Sequence, residues 1–223
     1  MSTPSELKPR RLAILGSANG GGAAQIIDAV ADSERLEAVA VFDSDITTVG
    51  KIILGVPVVD VSAKFFEYFK NGFFDCAVIA IGGDLEERAR LYAKLKLEGV
   101  PLANVIDLSA KIRSGTTIGE GNVILGNVYI GPEVTIGNNC YLVTNATINH
   151  HSTLGDHCYL SSGVNLSGRV RVGDLVRFEI GSCAKANIQI GSRSLVPAGC
   201  IITQDLPSNS TLHSPIQTII PLE

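Results

Sequence analysis

The sequence lacks the features that mark membrane-spanning and nucleic-acid-binding chains. It contains no run of about 18 apolar residues, the length that a membrane-spanning helix needs. Lys and Arg number 18 against 22 Asp and Glu, which leaves no basic surplus to neutralise a nucleic-acid backbone. The polar N-terminus leads into an apolar segment that is too short for a signal peptide. We therefore expect a cytoplasmic globular protein without a membrane span or a nucleic-acid partner.

Cysteine pairs are also missing. The five cysteines are an odd number, and no two of them form a C-x-x-C motif. We therefore expect neither a disulfide framework nor a thiolate zinc site, and we interpret the cysteines as small core residues.

A six-residue period fills the second half of the chain. Every sixth residue from Ile112 to Ile202 is apolar, and the residue four places later is small or aliphatic almost throughout. A period of six matches neither an α-helix nor a flat strand. It predicts short strands joined by turns, three to a coil of about 18 residues, which stack into a triangular parallel β-helix.

The first half of the chain alternates strand and helix patterns instead. These patterns lie at 12–15, 23–31, 36–42, 63–70, 75–81 and 85–97. Their alternation predicts a Rossmann-like α/β domain with a parallel sheet. We divide the chain into an α/β domain at 1–108, a left-handed β-helix at 109–207 and a C-terminal tail at 208–223, where Ser-Pro and Ile-Pro pairs end the coils.

Coil stacking places His150 in a corner column of the predicted β-helix. The same column contains Pro132, Gly168, Ala186 and Gln204. Because Gly168 and Ala186 are small, we expect a slot that runs along the helix axis from His150 and accepts a slim acyl carrier arm. Histidine is the side chain best suited to take a proton at neutral pH. The alternative interpretation is that Asn149, His150 and His151 form only a polar corner exposed to water.

Histidines are also the remaining candidates for a metal site. Trimeric β-helix carbonic anhydrases resemble this architecture and hold zinc with a His-x4-His pair and a third histidine about two coils earlier. Here five residues separate His151 from His157, and position 114 is Ser114. The spacing fails on both counts, so we expect no metal.

A glycine-rich segment at 16–22 lies between the first strand and the first helix. Backbone N–H groups at such a helix N-terminus can hold phosphate, and Asp43, at the end of the next strand, stands where a carboxylate would meet a ribose hydroxyl. The segment does not spell G-x-G-x-x-G, so a nicotinamide cofactor is not predicted. A tight structural turn is the alternative interpretation.

Several stretches of the sequence resemble the bacterial nucleotide-sugar acetyltransferases of the left-handed β-helix superfamily. They are the glycine-rich loop and the segments 41–45, 79–82, 104–107 and 148–155. This group is typified by the bacillosamine-pathway N-acetyltransferase and its sialic-acid O-acetyltransferase relatives, and the resemblance covers nearly the whole chain. It implies a homotrimer, acetyl-CoA bound between two chains, and the nucleotide of an amino sugar bound to the N-terminal domain.

The resemblance also implies roles for individual residues. By position, His150 is the base, His151 its neighbour, and the Gly168 N–H the group that meets the thioester carbonyl. For the cofactor we expect contacts from Gly168, Ile180, Lys185, Ala186 and Ala198. For the substrate we expect contacts from Gly16, Ser17, Asn19, Gly20, Asp43, Asp45, Gly82 and Asn149. In this family an acidic residue commonly follows the base, and here that place is occupied by His151.

We therefore predict acetyl transfer from acetyl-CoA to the amine of a nucleotide-linked amino sugar, expected to be a UDP-linked 4-amino-4,6-dideoxy sugar. The amine attacks the thioester directly, without a covalent enzyme intermediate. Two alternatives remain: O-acetylation of a sialic-acid-type hydroxyl, and a non-catalytic trimeric scaffold that binds a sugar nucleotide. Whether His151 orients or replaces His150 stays open.

Overall fold

The N-terminal part of the protein is an open sheet flanked by helices. The computed structural model describes residues 8–16, 19 and 21–212. The strands of this sheet are β1 (Arg10–Leu15), β2 (Leu36–Asp43), β3 (Ile52–Ile53), β4 (Val56–Val61) and β5 (Cys76–Ile79). The helices are α1 (Gly22–Val30), α2 (Phe65–Lys70) and α3 (Leu85–Leu97), with 3-10 turns at Ile46–Thr48 and Ser62–Lys64. In this described part of the chain, no helix is long and apolar enough to cross a membrane.

The strand order is β3-β4-β2-β1-β5, and every pair is parallel except β3 with β4. The sequence pattern predicts β1, β2, β5 and the three helices, and the structure confirms them. It does not predict β3 and β4, because β3 has only two residues and β4 contains Pro57, which interrupts a strand pattern. Pro57 is tolerated because it lies in the hairpin at the edge of the sheet.

The rest of the described chain is a left-handed parallel β-helix with three faces. The first face contains β6 (Val105–Ile106), β9 (Val123–Ile124), β12 (Tyr141–Leu142), β15 (Tyr159–Leu160), β18 (Arg177–Phe178) and β21 (Leu195–Val196). The second contains β7 (Lys111–Ile112), β10 (Tyr129–Ile130), β13 (Thr147–Ile148), β16 (Asn165–Leu166), β19 (Cys183–Ala184) and β22 (Ile201–Ile202). The third contains β8 (Thr117–Ile118), β11 (Thr135–Ile136), β14 (Thr153–Leu154), β17 (Arg171–Val172) and β20 (Gln189–Ile190).

Three columns of turns join these faces. The first corner joins the first and second faces, the second corner joins the second and third faces, and the third corner leads back to the first face. The first strand of the β-helix begins at Val105, a little before the expected boundary at 109. Residue 105 follows closely on the segment at 101–103, whose backbone pairs with Ala77 of β5, so the two parts are joined without a linker.

Both inward-facing positions of each hexad form the core of the β-helix. The large aliphatic residues are buried from Ile124 onward. The small residues of the second inward-facing position are buried from Asn122 onward. Polar small residues pair their side chains with corner carbonyls, either of the next coil, as in Ser152 Oγ to Ser167 O at 3.1 Å and Cys140 Sγ to Gly155 O at 3.1 Å, or of the same corner, as in Ser182 Oγ to Glu179 O at 2.8 Å. Polar atoms can occupy so narrow a core because they are paired in this way.

The third corner is a ladder of glycines and short polar side chains. Equivalent glycines in successive coils are Gly119, Gly137, Gly155, Gly173 and Gly191. Asp174 Oδ1 accepts a hydrogen bond from the Asp156 N–H at 2.8 Å, and Asp156 Oδ1 accepts one from the Asn138 N–H at 2.7 Å. A Cβ atom on Gly155 would lie 2.7 Å from the Gly173 carbonyl carbon and 2.8 Å from Asp174 N. The close approach of coils therefore requires glycine here.

The variant Gly155→Ala is expected to lose about 1–3 kcal/mol of stability, because its Cβ atom would overlap backbone that cannot rotate away. The measurement is the midpoint of urea unfolding. Gly83→Ala is the matched control, since its added Cβ would meet no atom within 4 Å. Equal midpoints for the two variants would contradict the proposed packing limit.

The α/β part and the β-helix share one apolar core. Helix α1 packs between the sheet and the first face, where Ile26 joins the same buried cluster as Val123 and Leu125. The Tyr141 hydroxyl donates a hydrogen bond to Gln25 Oε1 at 3.1 Å. Helices α2 and α3 cover the opposite side of the sheet. The first three coils of the first face are therefore an internal surface of the chain.

Arg88 of α3 also connects the two parts. Its fully buried guanidinium donates hydrogen bonds to the backbone carbonyls of Ile79, Ile81, Gly121, Asn139 and Cys140. The shortest are 2.5 Å to Ile79 O, in the sheet, and 2.8 Å to Asn139 O, at the third corner. Burial lowers the pKa of Arg88 to about 10, so the group is still charged at neutral pH. The positive charge is thus shared among carbonyl dipoles of both parts.

The variant Arg88→Met is expected to lose at least about 3 kcal/mol of stability, because it leaves several buried carbonyl oxygens without donors, at about 1–3 kcal/mol each. The free energy of unfolding from urea titration is the measurement. Arg90→Met, on the same helix, removes only an exposed pair with Glu87 and should cost about 1 kcal/mol or less. A similar loss in both variants would contradict this role of Arg88.

Candidate functional site

The second corner carries two adjacent histidines between β13 and β14. The His151 N–H donates a hydrogen bond to Pro132 O at 3.0 Å, and the Arg169 N–H donates one to His150 O at 2.9 Å. These bonds hold the turn between the coil before it and the coil after it. Both imidazoles project outward and are exposed, as the sequence predicts for a corner position.

The two imidazoles and one carboxylate form a continuous chain of contacts. His150 Nδ1 lies 2.9 Å from His151 Nδ1, and the two ring planes are at 89°. His151 Nε2 lies 2.8 Å from Glu133 Oε2. Glu133 occupies the same corner position as His151 one coil earlier. Stacking therefore places a carboxylate beside the histidine pair, although the residue that follows His150 in the sequence is not acidic. Applying the column arithmetic to His151 as well as His150 would have found it.

Gly168 lies directly beside the His150 ring. A Cβ atom at Gly168 would be 2.6 Å from both Cε1 and Nε2 of His150. The space that the sequence assigns to an acyl carrier arm next to Gly168 is therefore occupied by the imidazole. A larger residue at position 168 would displace the imidazole from this position.

The residues expected to contact the cofactor lie in two different corners of one chain. Ala186 follows Gly168 by one coil in the second corner, and the exposed Lys185 precedes it. Ile180 and Ala198 lie one coil apart in the first corner, where the Ile180 side chain is 59% exposed. The second face separates the two groups, so a single chain does not bring them together.

A cavity of about 450 Å³ opens beside the C-terminal ends of β1 and β2. Three of the expected substrate residues, Gly16, Asn19 and Asp43, line it. Gly16 has φ 90°, and a Cβ atom there would lie 2.8 Å from Ile81 Cγ1, so both the backbone and the space require glycine. The other lining residues come mainly from the helices and include Phe65, Phe66, Arg90, Leu91 and Lys94. The sequence pattern gives no signal for these, because it shows α3 only as a charged helix.

The carboxylates of Asp43 and Asp45 have different roles in the structure. Asp43 is buried in the cavity wall, and its Oδ1 accepts a hydrogen bond from the Asp45 N–H at 2.9 Å. The Asp45 carboxylate accepts from the Thr47 N–H and hydroxyl at 2.9 and 2.7 Å, and from Asn19 Nδ2 at 3.1 Å. The hydrogen bonds from Thr47 hold the pKa of Asp45 below its usual value. Asp45 therefore braces the loop and is not part of the cavity lining.

Gly82 lies between the sheet and the β-helix. A Cβ atom there would be 2.8 Å from Tyr159 Cε2, and the Arg177 guanidinium donates hydrogen bonds to Gly82 O at 3.2 Å and Gly83 O at 2.7 Å. The Arg177 guanidinium also stacks 4.9 Å from the centre of the Tyr159 ring. Gly82 is thus packed against the first face rather than exposed in the cavity.

The remaining expected substrate residues do not line the cavity. Asn149 Nδ2 donates a hydrogen bond to Leu166 O at 2.9 Å, so its amide joins two coils. Ser17 and Gly20 lie outside the described residues, as does the part of the expected tail from 213 to 223.

The described residues contain no group of three or more His, Cys, Asp or Glu side chains that could hold a metal ion. His157 lies at the third corner, half-buried between the Tyr92 ring and the Asn139 amide. Burial lowers the pKa of His157, which makes the neutral ring the more stable form there. His157 therefore packs against α3 and does not belong to the histidine pair.

The cavity and the histidine pair lie on different sides of one chain. The α/β part packs on the first coils of the first face, whereas His150 and His151 lie at the second corner, where the other two faces meet. In a triangular cross-section that corner is opposite the first face. A substrate held in the cavity of one chain is therefore not next to the histidines of the same chain.

The comparisons with known proteins agree with this architecture. The family described as bacterial transferase hexapeptide (six repeats) matches residues 115–150. No curated protein sequence matches the chain significantly. Among solved structures, PerB from Caulobacter crescentus, a perosamine N-acetyltransferase in complex with CoA and GDP-perosamine, is 28% identical with a TM-score of 0.82. The match covers 89% of this chain and 92% of that one.

Two further solved structures share the fold. The acetyltransferase domain of PglB from Neisseria gonorrhoeae, in complex with acetyl coenzyme A, has a TM-score of 0.81 at 24% identity over 91% of this chain and 95% of that one. WeeI from Acinetobacter baumannii has a TM-score of 0.63 at 20% identity, with coverages of 90% and 95%.

The PerB structure holds CoA, and the similarity to it favours an acetyltransferase over the non-catalytic scaffold. A hexapeptide-repeat transferase model thus matches residues 115–150, and the chain shares its fold with a perosamine N-acetyltransferase and with the acetyltransferase domain of PglB.

Proposed function

We propose that the protein acetylates the 4-amino group of a 4-amino-4,6-dideoxy sugar linked to a nucleoside diphosphate, with His150 as the base. The observation that carries this proposal is the exposed His150 imidazole, whose Nδ1 is 2.9 Å from His151 and whose Nε2 lies over Gly168. An imidazole held by one nitrogen keeps the other available for a substrate proton.

The cavity of the α/β part suits the nucleotide. It combines the Asp43 carboxylate and the Asn19 amide, which can pair with base and ribose groups, with the flat apolar surface of Phe66. Arg90 and Lys94 add positive charge at the same cavity for a diphosphate. The sequence resemblance favours UDP, whereas the 28%-identical PerB structure holds GDP-perosamine, so both nucleotides belong in the test.

The reaction needs only positioning, proton removal and stabilisation of one negative charge. The amine nitrogen forms a bond to the thioester carbon, the carbon–sulfur bond breaks, and the amine proton passes through His150 Nε2 to the departing CoA thiolate. Among the described residues, the Gly168 N–H has no hydrogen-bond partner, so it is free to donate to the developing oxyanion.

A second copy of the chain completes the site in this proposal. The cavity and His150 lie on opposite sides of one chain, and the two sets of residues expected to contact CoA lie in different corners. Packing the second corner of one chain against the first corner of another joins both halves, and three copies close the arrangement as a homotrimer.

The direct test is a panel of amino sugars linked to UDP, GDP or dTDP, assayed with acetyl-CoA by release of free thiol. A sialic-acid-type hydroxyl acceptor is included. Acetylation of a 4-amino sugar nucleotide supports the proposal, and release only with the hydroxyl acceptor replaces it with O-acetylation. With the best substrate, His150→Ala is expected to lower kcat at least about a hundredfold with little change in the KM for acetyl-CoA.

The variant His151→Ala is the matched comparison, because it removes the neighbouring imidazole and leaves the reacting one. It should lower kcat about tenfold if His151 orients His150. A dead His151→Ala enzyme beside an active His150→Ala enzyme would reassign the base to His151.

Complementation tests the composite site. Asp43→Ala should raise the KM for the sugar nucleotide about tenfold and leave the KM for acetyl-CoA unchanged, since it removes one side chain from the cavity. Co-expressed in equal amounts and assayed at a sugar-nucleotide concentration well below KM, Asp43→Ala and His150→Ala chains should recover about a quarter of the wild-type activity, because one chain supplies an intact cavity and the other an intact histidine. Activity no higher than the mean of the two separate variants would place both groups in one chain.

A further inference from the structure

We propose that Glu133 is a positioning residue which, through His151, selects the tautomer of His150 that has an unprotonated Nε2. This inference rests on the proposed function, because it assigns that nitrogen the task of accepting the amine proton. It follows from the order of three groups along one line of contacts: the Glu133 carboxylate, the His151 ring and the His150 ring.

The first contact fixes one proton. A carboxylate can only accept hydrogen bonds, so at the 2.8 Å contact with Glu133 Oε2 the Nε2 atom of His151 carries its hydrogen. In a neutral imidazole only one nitrogen is protonated, which leaves His151 Nδ1 with a lone pair.

The second contact passes this choice to the base. At the 2.9 Å contact between the two Nδ1 atoms, one nitrogen donates and the other accepts. With a lone pair on His151 Nδ1, the hydrogen lies on His150 Nδ1, and His150 Nε2 is left bare. The opposite arrangement would put hydrogen on His150 Nε2, where the ring could not take a proton from the substrate.

The backbone at this corner is left-handed at both Glu133 and His151. Glu133 and His151 occupy the same corner position in successive coils and have φ values of 56° and 58°. This left-handed conformation favours Gly or Asn, and Asn occupies many of the other positive-φ positions of the β-helix, such as Asn127, Asn145 and Asn187. Arg169, one coil after His151, has φ 59°, so the conformation belongs to the turn itself, and the relay rests on the side-chain contacts.

Glu133→Gln tests the relay because it keeps the shape and removes the charge. An amide can donate as well as accept, so the tautomer of the histidine pair is no longer selected. We expect kcat to fall about tenfold, with KM values for both substrates within about twofold of wild type. Glu133→Asp, which keeps the carboxylate, should retain more activity than Glu133→Gln. Glu98→Gln, which removes an exposed carboxylate paired with Lys70, is the control and should match wild type.

A second readout needs no substrate. The chain has four histidines, so the ring nitrogens can be resolved by NMR of protein labelled with ¹⁵N-histidine and assigned with single variants. Wild type should show His150 protonated at Nδ1 with Nε2 bare, and Glu133→Gln should show a mixture. An unchanged tautomer together with an unchanged kcat in Glu133→Gln would overturn the relay. If wild type acetylates no sugar nucleotide, the proposed function fails, while the NMR spectra still decide whether Glu133 selects the tautomer.

Discussion

Close stacking of successive coils is the constraint on which the rest of this protein depends. Each corner residue lies over its counterpart 18 positions away, so its size is limited by the backbone and side chain of the next coil. At the third corner the result is a column that accepts only glycine beside short polar side chains. At the second corner the same constraint places Glu133 against His151 and Gly168 against His150. One geometric rule therefore shapes both the stability of the coils and the candidate site.

The proposed site also requires a fixed orientation of the α/β part relative to the β-helix, because the cavity has to face the histidine pair of a neighbouring chain. A shared apolar core behind α1 supplies the area of contact, and the buried Arg88 supplies direction. Its guanidinium has five donors in a fixed planar arrangement, so it can join carbonyls of the sheet and of the third corner only in a narrow range of orientations. Apolar contact is much less directional than that. Arg88 thus reduces the freedom of two parts that burial alone would leave able to slide.

Most of the fold follows from the sequence because its signals are periodic. The hexads predict the β-helix and both of its inward-facing positions, and alternating patterns predict all three helices with β1, β2 and β5. The pattern fails where pairing depends on distant partners, as in the short hairpin of β3 and β4 with Pro57. It also fails for Arg88, since a charged residue in a charged helix carries no sign that five carbonyls will surround it.

The candidate site divides in the same way. The position of a residue in a corner column follows from the 18-residue spacing of the coils. His150, His151 and Gly168 can therefore be placed from the sequence, and Glu133 could have been placed in the same way. The direction in which a side chain points does not follow from this spacing. Size alone predicts an open slot beside Gly168, yet the imidazole fills it. The sequence cannot distinguish the carboxylate of Asp43 in the cavity wall from that of Asp45, which is taken by Thr47 and Asn19.

Placing the base at a corner has a consequence for how the relay gains strength. In one chain the side chains of Glu133 and His151 are 64% and 47% exposed, and a carboxylate–imidazole hydrogen bond so exposed contributes about 0–1 kcal/mol. In the proposed trimer a neighbouring chain and acetyl-CoA cover this corner. Excluding water lowers the local dielectric constant, and the same contacts between carboxylate and imidazole then become several times stronger. A base on the outside of a β-helix can thus depend on assembly for its orientation as well as for its substrate. The narrow core is filled by its own two columns of side chains, so it has no room for a catalytic site inside the β-helix.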